Sequence, residues 1–290
     1  MTASVGELLA RATATLRDGG SSTARLDAEV LLAHVAGRDR SWLLAHPEAE
    51  LAPEPFDALL DRRLRGEPIA YLRGFKEWRS LRIRTDARAL IPRPETELLY
   101  ELAVDEIRSR MARDAAPIGA WEPATGSGAV TLALALRFRE ALTLGRLRLI
   151  ASDLSADALE LAAENLETHG VHSLVDLACV DLLEPAGRLL PRPDVVIANL
   201  PYVPTDEALA PERGLGHEPR IAIDGGPDGL AILRRLFGSL PGRVADGGTL
   251  LLEVGIGQAD AVAALAPAGA SVSAERDLAG IERVVRVQLP

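Results

Sequence analysis

Cysteine is almost absent. Cys179 is the sole one, so neither a disulfide framework nor a cysteine metal cluster can form within the chain. It falls in the apolar run 175–180 and is expected to be a small core residue. Lysine occurs once, at Lys76, and aromatics make up 3% of the chain. With Ala, Leu and Arg heavily used, this bias reads as codon usage rather than chemistry. The longest apolar runs, such as 132–136, are far too short to span a bilayer. Residues 1–7 lack a basic segment followed by an apolar stretch, so no secretory leader and a cytoplasmic location are expected. The five histidines show no metal-ligand spacing, and no metal site is expected. His169 and His172 flank Gly170 and are expected to be exposed. Positive charge is also in deficit. The formal net charge is −10, which removes the phosphate attraction that drives nucleic-acid binding.

What remains is a chain of 290 residues, 48% hydrophobic and 26% charged, ordinary for a globular protein with a real core. One basic stretch stands out, running from Arg62 and Arg63 through Arg65, Arg73, Lys76, Arg79, Arg82 and Arg84 to Arg88. A solvated face between elements is the simpler reading. A docking surface for an acidic or nucleic-acid-bearing partner is the sharper one.

The chain falls into two parts. Up to about residue 70 it reads as helices only, at 5–16, 26–35, 41–45 and 55–64, with breaks at Gly19-Gly20 and Gly37. In the second helix Leu26, Val30, Leu31 and His34 are expected to share a face. Residues 81–84 and 87–90 read as a short hairpin around Thr85-Asp86, and the prolines at 92 and 94 lead into a helix over 95–111. From residue 118 strands alternate with helices. Strands are expected at 118–121, 147–152, 174–180, 194–198, 249–254, 271–275 and 283–288, and helices at 130–142, 156–169, 229–240 and 258–265. That alternation implies a doubly wound, mostly parallel α/β sheet. The last two strands have no helix between them and must pair antiparallel, so the sheet is expected to end in one reversed strand.

In such sheets ligands sit beyond the carboxyl ends of the strands, where the winding reverses. Four segments fall there. The first is Glu122-Pro-Ala124-Thr125-Gly126-Ser127-Gly128, whose glycines permit close backbone approach and whose helix start offers free N–H groups. Thr131 stands where a dinucleotide fingerprint needs a third small residue, and the Gly-Lys-Ser/Thr of a phosphate loop is missing. The second is Asp153, able to accept from ribose hydroxyls or to cap the next helix. The third is Asp181-Leu182, which can meet an adenine amino group and ring or be a plain surface turn. The fourth is Asn199-Leu200-Pro201-Tyr202. Asn199 offers a side-chain carbonyl, and Pro201 forces Leu200 into an extended conformation that can aim its own carbonyl inward. Two such acceptors can hold both hydrogens of an –NH₂ group, and Tyr202 can lie flat on a planar amide or base.

Taken together, these segments resemble the protein-glutamine methyltransferases that modify peptide chain release factors, the PrmC/HemK family. The resemblance runs along nearly the whole chain: residues 24–29, 66–71, Leu90-Ile-Pro-Arg-Pro-Glu-Thr-Glu97, 125–129, 199–202, Glu218-Pro-Arg220, Asp224-Gly-Gly226, Asp228-Gly-Leu230 and 276–280. It implies a Rossmann-like class I methyltransferase sheet with one antiparallel strand, preceded by a small helical domain. Boundaries are expected at 1–72 for a substrate-recognition domain, 73–94 for a hairpin linker and 95–290 for the methyltransferase domain. The implied cofactor is S-adenosyl-L-methionine, held by Glu122, Ala124, Thr125, Gly126, Ser127, Gly128, Asp153, Asp181, Leu182 and Asn199. The implied catalytic and substrate-binding residues are Asn199, Leu200, Pro201 and Tyr202. The implied partner is a release factor bearing a Gly-Gly-Gln loop, with no nucleic acid or membrane and a monomeric state.

The chain departs from the family pattern in two places. Glu122-Pro-Ala124 replaces Asp-Leu-Gly, and the added methylene and Cβ are expected to crowd the methionine end of the cofactor. Leu200 replaces the first proline of Asn-Pro-Pro-Tyr but keeps its carbonyl. The stretch 128–153 also runs slightly long. Arg93, Glu218, Arg220 and Asp224 are expected as a salt-bridged loop scaffold near the cleft. Three rival readings remain: a ribosomal-protein glutamine methyltransferase, an adenine-amino methyltransferase acting on nucleic acid, and a non-catalytic binding protein.

Overall fold

The computed structural model describes residues 2–184, 192–209 and 216–290. The chain divides into two compact units, Met1–Phe75 and Lys76–Pro290.

The first unit is helical, with α1 (Val5–Asp18), α2 (Ala24–Ala36), α3 (Arg40–Ala45), α4 (Glu54–Leu64) and α5 (Ile69–Arg73). Two short strands, β1 (Ala3–Ser4) and β2 (Glu50–Leu51), pair antiparallel. Helix α1 starts on a capping box. Glu7 N donates to Ser4 Oγ at 3.3 Å, and Ser4 N donates to Glu7 Oε2 at 3.0 Å. The core joins Leu8, Leu9, Ala12 and Leu16 of α1 to Ala28, Leu31 and Leu32 of α2. The expected face of α2 is corrected here. Leu26 and His34 point outward, while Ala24, Ala28 and Leu31 point in. Alanines lie on several faces of this helix and weaken any periodicity. Asp27 joins the buried face because Arg63 Nε reaches it at 2.9 Å.

A hairpin follows at the boundary, β3 (Phe75–Trp78) and β4 (Leu81–Arg84). Residues 87–90 form no strand, so the expected pairing of 81–84 with 87–90 is replaced by pairing with 75–78. The turn runs through Arg79 and Ser80 at φ 48° and 60°. Without glycine or asparagine at those positions, it carried no hairpin signal. Then follow α6 (Thr96–Arg113), β5 (Ile118–Pro123), α7 (Ala129–Arg137), α8 (Arg139–Thr143), β6 (Leu147–Asp153), α9 (Ala156–Thr168) and β7 (Val175–Cys179). The chain continues with β8 (Val195–Ala198), α10 (Thr205–Ala208), α11 (Ala231–Ser239), β9 (Thr249–Glu253), α12 (Ala259–Ala263), β10 (Ser271–Arg276) and β11 (Glu282–Gln288). The single helix expected over 130–142 breaks at Phe138, whose buried ring belongs to the core.

The sheet order is β10-β11-β9-β8-β5-β6-β7, all parallel except β11. The reversed strand does not end the sheet. It inserts beside β9 and leaves β10 at the edge. The reason lies in burial, since β11 buries Val284, Val285 and Val287 whereas five of the six β10 residues are exposed. Winding reverses between β5 and β8, which are hydrogen-bonded neighbours. One apolar layer packs beneath α6, α7 and α9, and another beneath α11 and α12. Cys179, expected in the core, is exposed at the end of β7. His169 is only half-buried, its Nε2 3.1 Å from the Arg82 carbonyl.

Five residues of the basic stretch are held in ion pairs. Arg62 pairs with Glu67, Arg63 with Asp27, Arg79 with Glu101, Arg84 with Glu164, and Arg88 with Asp86 and Glu164. Among the described residues no helix is long and apolar enough to cross a membrane.

Candidate active site

A cleft of about 1080 Å³, its open mouth included, lies over the carboxyl ends of β5, β6 and β8. One wall is the turn from β5 into α7. Ala124, Gly126 and Gly128 there all have positive φ, at 57°, 56° and 75°. At Gly128 a Cβ would come within 3.0 Å of Ala162 Cβ, so the glycine sets how closely α9 approaches the turn. Ala124 adopts the same left-handed region with a Cβ in place, a conformation that is ordinarily unfavourable for alanine.

Glu122 is 4% exposed, and its carboxylate turns back into the loop. Oε2 accepts from Thr131 N at 2.9 Å, from Thr125 Oγ1 at 3.0 Å, and from the Thr131 hydroxyl. Burial raises its pKa to about 7 against those hydrogen bonds, with Asp153 adding repulsion. The added methylene of Glu122 therefore reaches the start of α7, where its oxygen caps the helix. Thr131, which ruled out a dinucleotide fingerprint, is the partner that this glutamate requires.

Asp153 follows β6. Its Oδ2 accepts from Gly126 N and its Oδ1 from Ser155 N, both at 2.9 Å. The helix cap itself is Ser155, whose Oγ accepts from Ala158 N. Burial pushes the Asp153 carboxyl upward while the backbone donors pull it down. Each oxygen retains lone-pair capacity for hydroxyls of a ligand. Asp181 and Leu182 line the far end of the cleft, but the Asp181 carboxylate is ion-paired with Arg235 of α11. Asn165, fully buried on α9, donates to Ser127 O at 2.9 Å and to Arg84 O at 3.1 Å, tying β4 to the glycine turn.

The opposite wall follows β8. Asn199, Leu200 and Pro201 line the cleft. Asn199 Nδ2 donates to Thr96 Oγ1 at 3.2 Å, which leaves Oδ1 as its free acceptor. Leu200 is 2% exposed and its side chain is anchored in the core. Tyr202 departs from expectation. It is not part of the cleft wall, and its hydroxyl donates to Glu253 Oε1 at 3.4 Å. Burial and the negative charge of Glu253 raise its pKa.

Several residues position this loop in ways the sequence did not assign to them. Val203 bridges Asp224, Gly225 N donates to Val203 O at 2.8 Å, and Gln258 Nε2 donates to Tyr202 O at 2.9 Å. A Cβ at Gly229 would lie 2.2 Å from the Tyr202 carbonyl oxygen, and one at Gly225 would lie 2.7 Å from the Pro201 carbonyl oxygen. The Asp-Gly-Gly and Asp-Gly pairs at 224–229 were the available signal, since closely spaced glycines mark backbone packed on backbone. Glu218 accepts from Ile91 N at 3.0 Å and from Arg93 Nη2 at 2.5 Å, and Arg220 pairs with Asp224. These are the expected loop scaffold, and they join 91–93 to 218–224 along the cleft rim.

The PrmC N-terminal domain model matches residues 7–74. The release factor glutamine methyltransferase of Bordetella pertussis is 40% identical over 265 residues, 90% of this chain and 93% of that protein. The same enzyme of Moorella thermoacetica is 38% identical over 283 residues, covering 96% and 95%. Among solved structures, a methyltransferase from Pyrococcus furiosus aligns at TM-score 0.48 and 16% identity over 79% of this chain and 96% of that one. The chain belongs to the release factor glutamine methyltransferase family, S-adenosylmethionine-dependent enzymes that methylate a glutamine nitrogen in a protein.

Proposed function

We propose that this enzyme methylates the side-chain amide nitrogen of the glutamine in the Gly-Gly-Gln loop of peptide chain release factors, acting as a cytoplasmic monomer without direct nucleic-acid contact. The observation that carries the reading is the placement of Asn199 and Leu200 across one cleft from the glycine turn and Asp153. The helical segment 1–72 serves substrate recognition, and 95–290 carries the chemistry.

The residues of the first wall suit S-adenosylmethionine. Asp153 would accept from the ribose hydroxyls, and Leu182 and Ile232 would offer apolar surface to the adenine. Asp181, whose Oδ2 is held by Arg235, would present its other oxygen as an acceptor for the adenine amino group. Thr125, Gly126, Ser127 and Gly128 would let the backbone close on the amino-acid end, and Glu122 and Ala124 line the same cleft. When bound, the cofactor supplies an electrophilic methyl carbon on a sulfonium.

An amide nitrogen is a poor nucleophile because its lone pair is delocalised. Asn199 Oδ1 and the Leu200 carbonyl accept its two hydrogens, turn the lone pair toward the cofactor side, and stabilise the positive charge that grows on nitrogen. Pro201 stiffens the turn, and Tyr202 supports it from behind. The proton then leaves to water, since no general base is required.

The test is to incubate the enzyme with labelled S-adenosylmethionine and a release factor, then locate the label by mass spectrometry. Asn199→Ala is expected to lower turnover by ~10²-fold or more with cofactor affinity within a few-fold. Label on another residue, or near-normal turnover of the variant, would overturn the assignment.

A further inference from the structure

We propose that Glu253 and Thr96 form a positioning relay that fixes which end of the Asn199 amide faces the substrate, an inference that rests on the role given to Asn199 above. An asparagine amide can present either its oxygen or its –NH₂. Only the oxygen can accept from a substrate N–H. A flipped amide would set donor against donor.

The fold supplies a lock. Parallel pairing aligns Ala198 of β8 with Leu252 of β9, so Asn199 and Glu253 leave the sheet side by side. Glu253 is 1% exposed. One of its oxygens takes the Tyr202 hydroxyl, and the other, Oε2, is buried without a hydrogen-bond partner among the described residues. Thr96, at the first position of α6, is 6% exposed and accepts from Asn199 Nδ2 at 3.2 Å. Its hydroxyl stands close enough to Glu253 to lower that carboxyl's proton affinity.

A threonine hydroxyl has one hydrogen. An ionised Glu253 has only acceptors, so it draws that hydrogen and leaves the Thr96 oxygen to receive Asn199 Nδ2. The chain then runs one way, from Asn199 to Thr96 to Glu253, and Oδ1 is left for the substrate. Site hydrogen bonds of this kind commonly tighten when substrate is bound, and closure of Thr96 onto Oε2 would satisfy the orphaned oxygen.

Protonating Glu253 reverses the polarity. A carboxylic acid donates to the Thr96 oxygen and competes with Asn199 for it. The groups facing Glu253 are Tyr202 from the loop after β8, Thr96 and Glu95 at the start of α6, and Arg283 of β11. Burial chiefly, with Glu95, raises its pKa to about 7, while Thr96, Tyr202 and Arg283 oppose the rise. Turnover is therefore expected to fall as pH drops through this range.

The experiment measures kcat and cofactor KM from pH 6 to 8.5 with a release factor as methyl acceptor. Thr96→Val, which keeps shape and removes the hydroxyl, is expected to lower kcat by ~10-fold or more with cofactor KM within about threefold. Thr96→Ser is expected to restore kcat to within about threefold of the parent. Glu253→Gln, which cannot titrate, is expected to lose the acid limb of the kcat profile. Equal impairment by Val and Ser, or an acid limb retained in Glu253→Gln, would overturn the relay. So would a Thr96→Val enzyme within twofold of the parent while Asn199→Ala is dead, and that result leaves the Asn199 assignment standing. An active Asn199→Ala enzyme removes the assignment and the relay together.

Discussion

Replacing Glu122 by glutamine should change how stability depends on pH. Gln keeps the acceptor for Thr131 N and offers an amide to the two threonine hydroxyls, but it cannot titrate. Burial lifts the native carboxyl from 4.5 to about 7. A carboxyl with a raised native pKa stabilises the fold while protonated. That stabilisation is complete below about pH 4.5 and is lost as pH rises through about 7. At 1.36 kcal/mol per pH unit, the full effect is about 3 kcal/mol. Between pH 5.5 and 7.5 the parent should lose about 2 kcal/mol relative to Glu122→Gln. Urea unfolding of both proteins across that range measures it. Taking the difference between the two chains at each pH cancels other titrating groups, Glu253 among them. A difference that stays constant with pH would show that Glu122 is ionised throughout, and the burial argument would fail.

Two further substitutions probe the loops. Gly229→Ala places a methyl 2.2 Å from the Tyr202 carbonyl oxygen at a φ of 75°. It should cost about 2–4 kcal/mol and depress turnover ~10²-fold, more than it weakens cofactor binding by calorimetry. Ala124→Gly relieves the left-handed alanine but frees the unfolded chain, so thermal unfolding should show a change between zero and about 1 kcal/mol of gain. A loss larger than about 1 kcal/mol would mean that the Ala124 methyl is needed as packing.

The sequence alone determined the elements whose signals are local. Alternating apolar runs and helices fixed the doubly wound sheet, and the missing helix before the last strand fixed a reversed strand. Asn199-Leu-Pro-Tyr and the glycine turn were legible because conformation there depends on glycine and proline themselves. The ion-paired scaffold of Arg93, Glu218, Arg220 and Asp224 was legible from charge in the loops. Tertiary structure decided the rest. The inner place of β11, the outward face of Leu26, and the exposure of Cys179 depend on which neighbour covers each side chain, and no window of sequence contains that neighbour. The same holds for Thr96, Glu253, Gly229 and Gln258, which gain their roles only when β8, β9 and the start of α6 converge on one loop. A hydrogen bond between residues 103 positions apart leaves no local pattern to read.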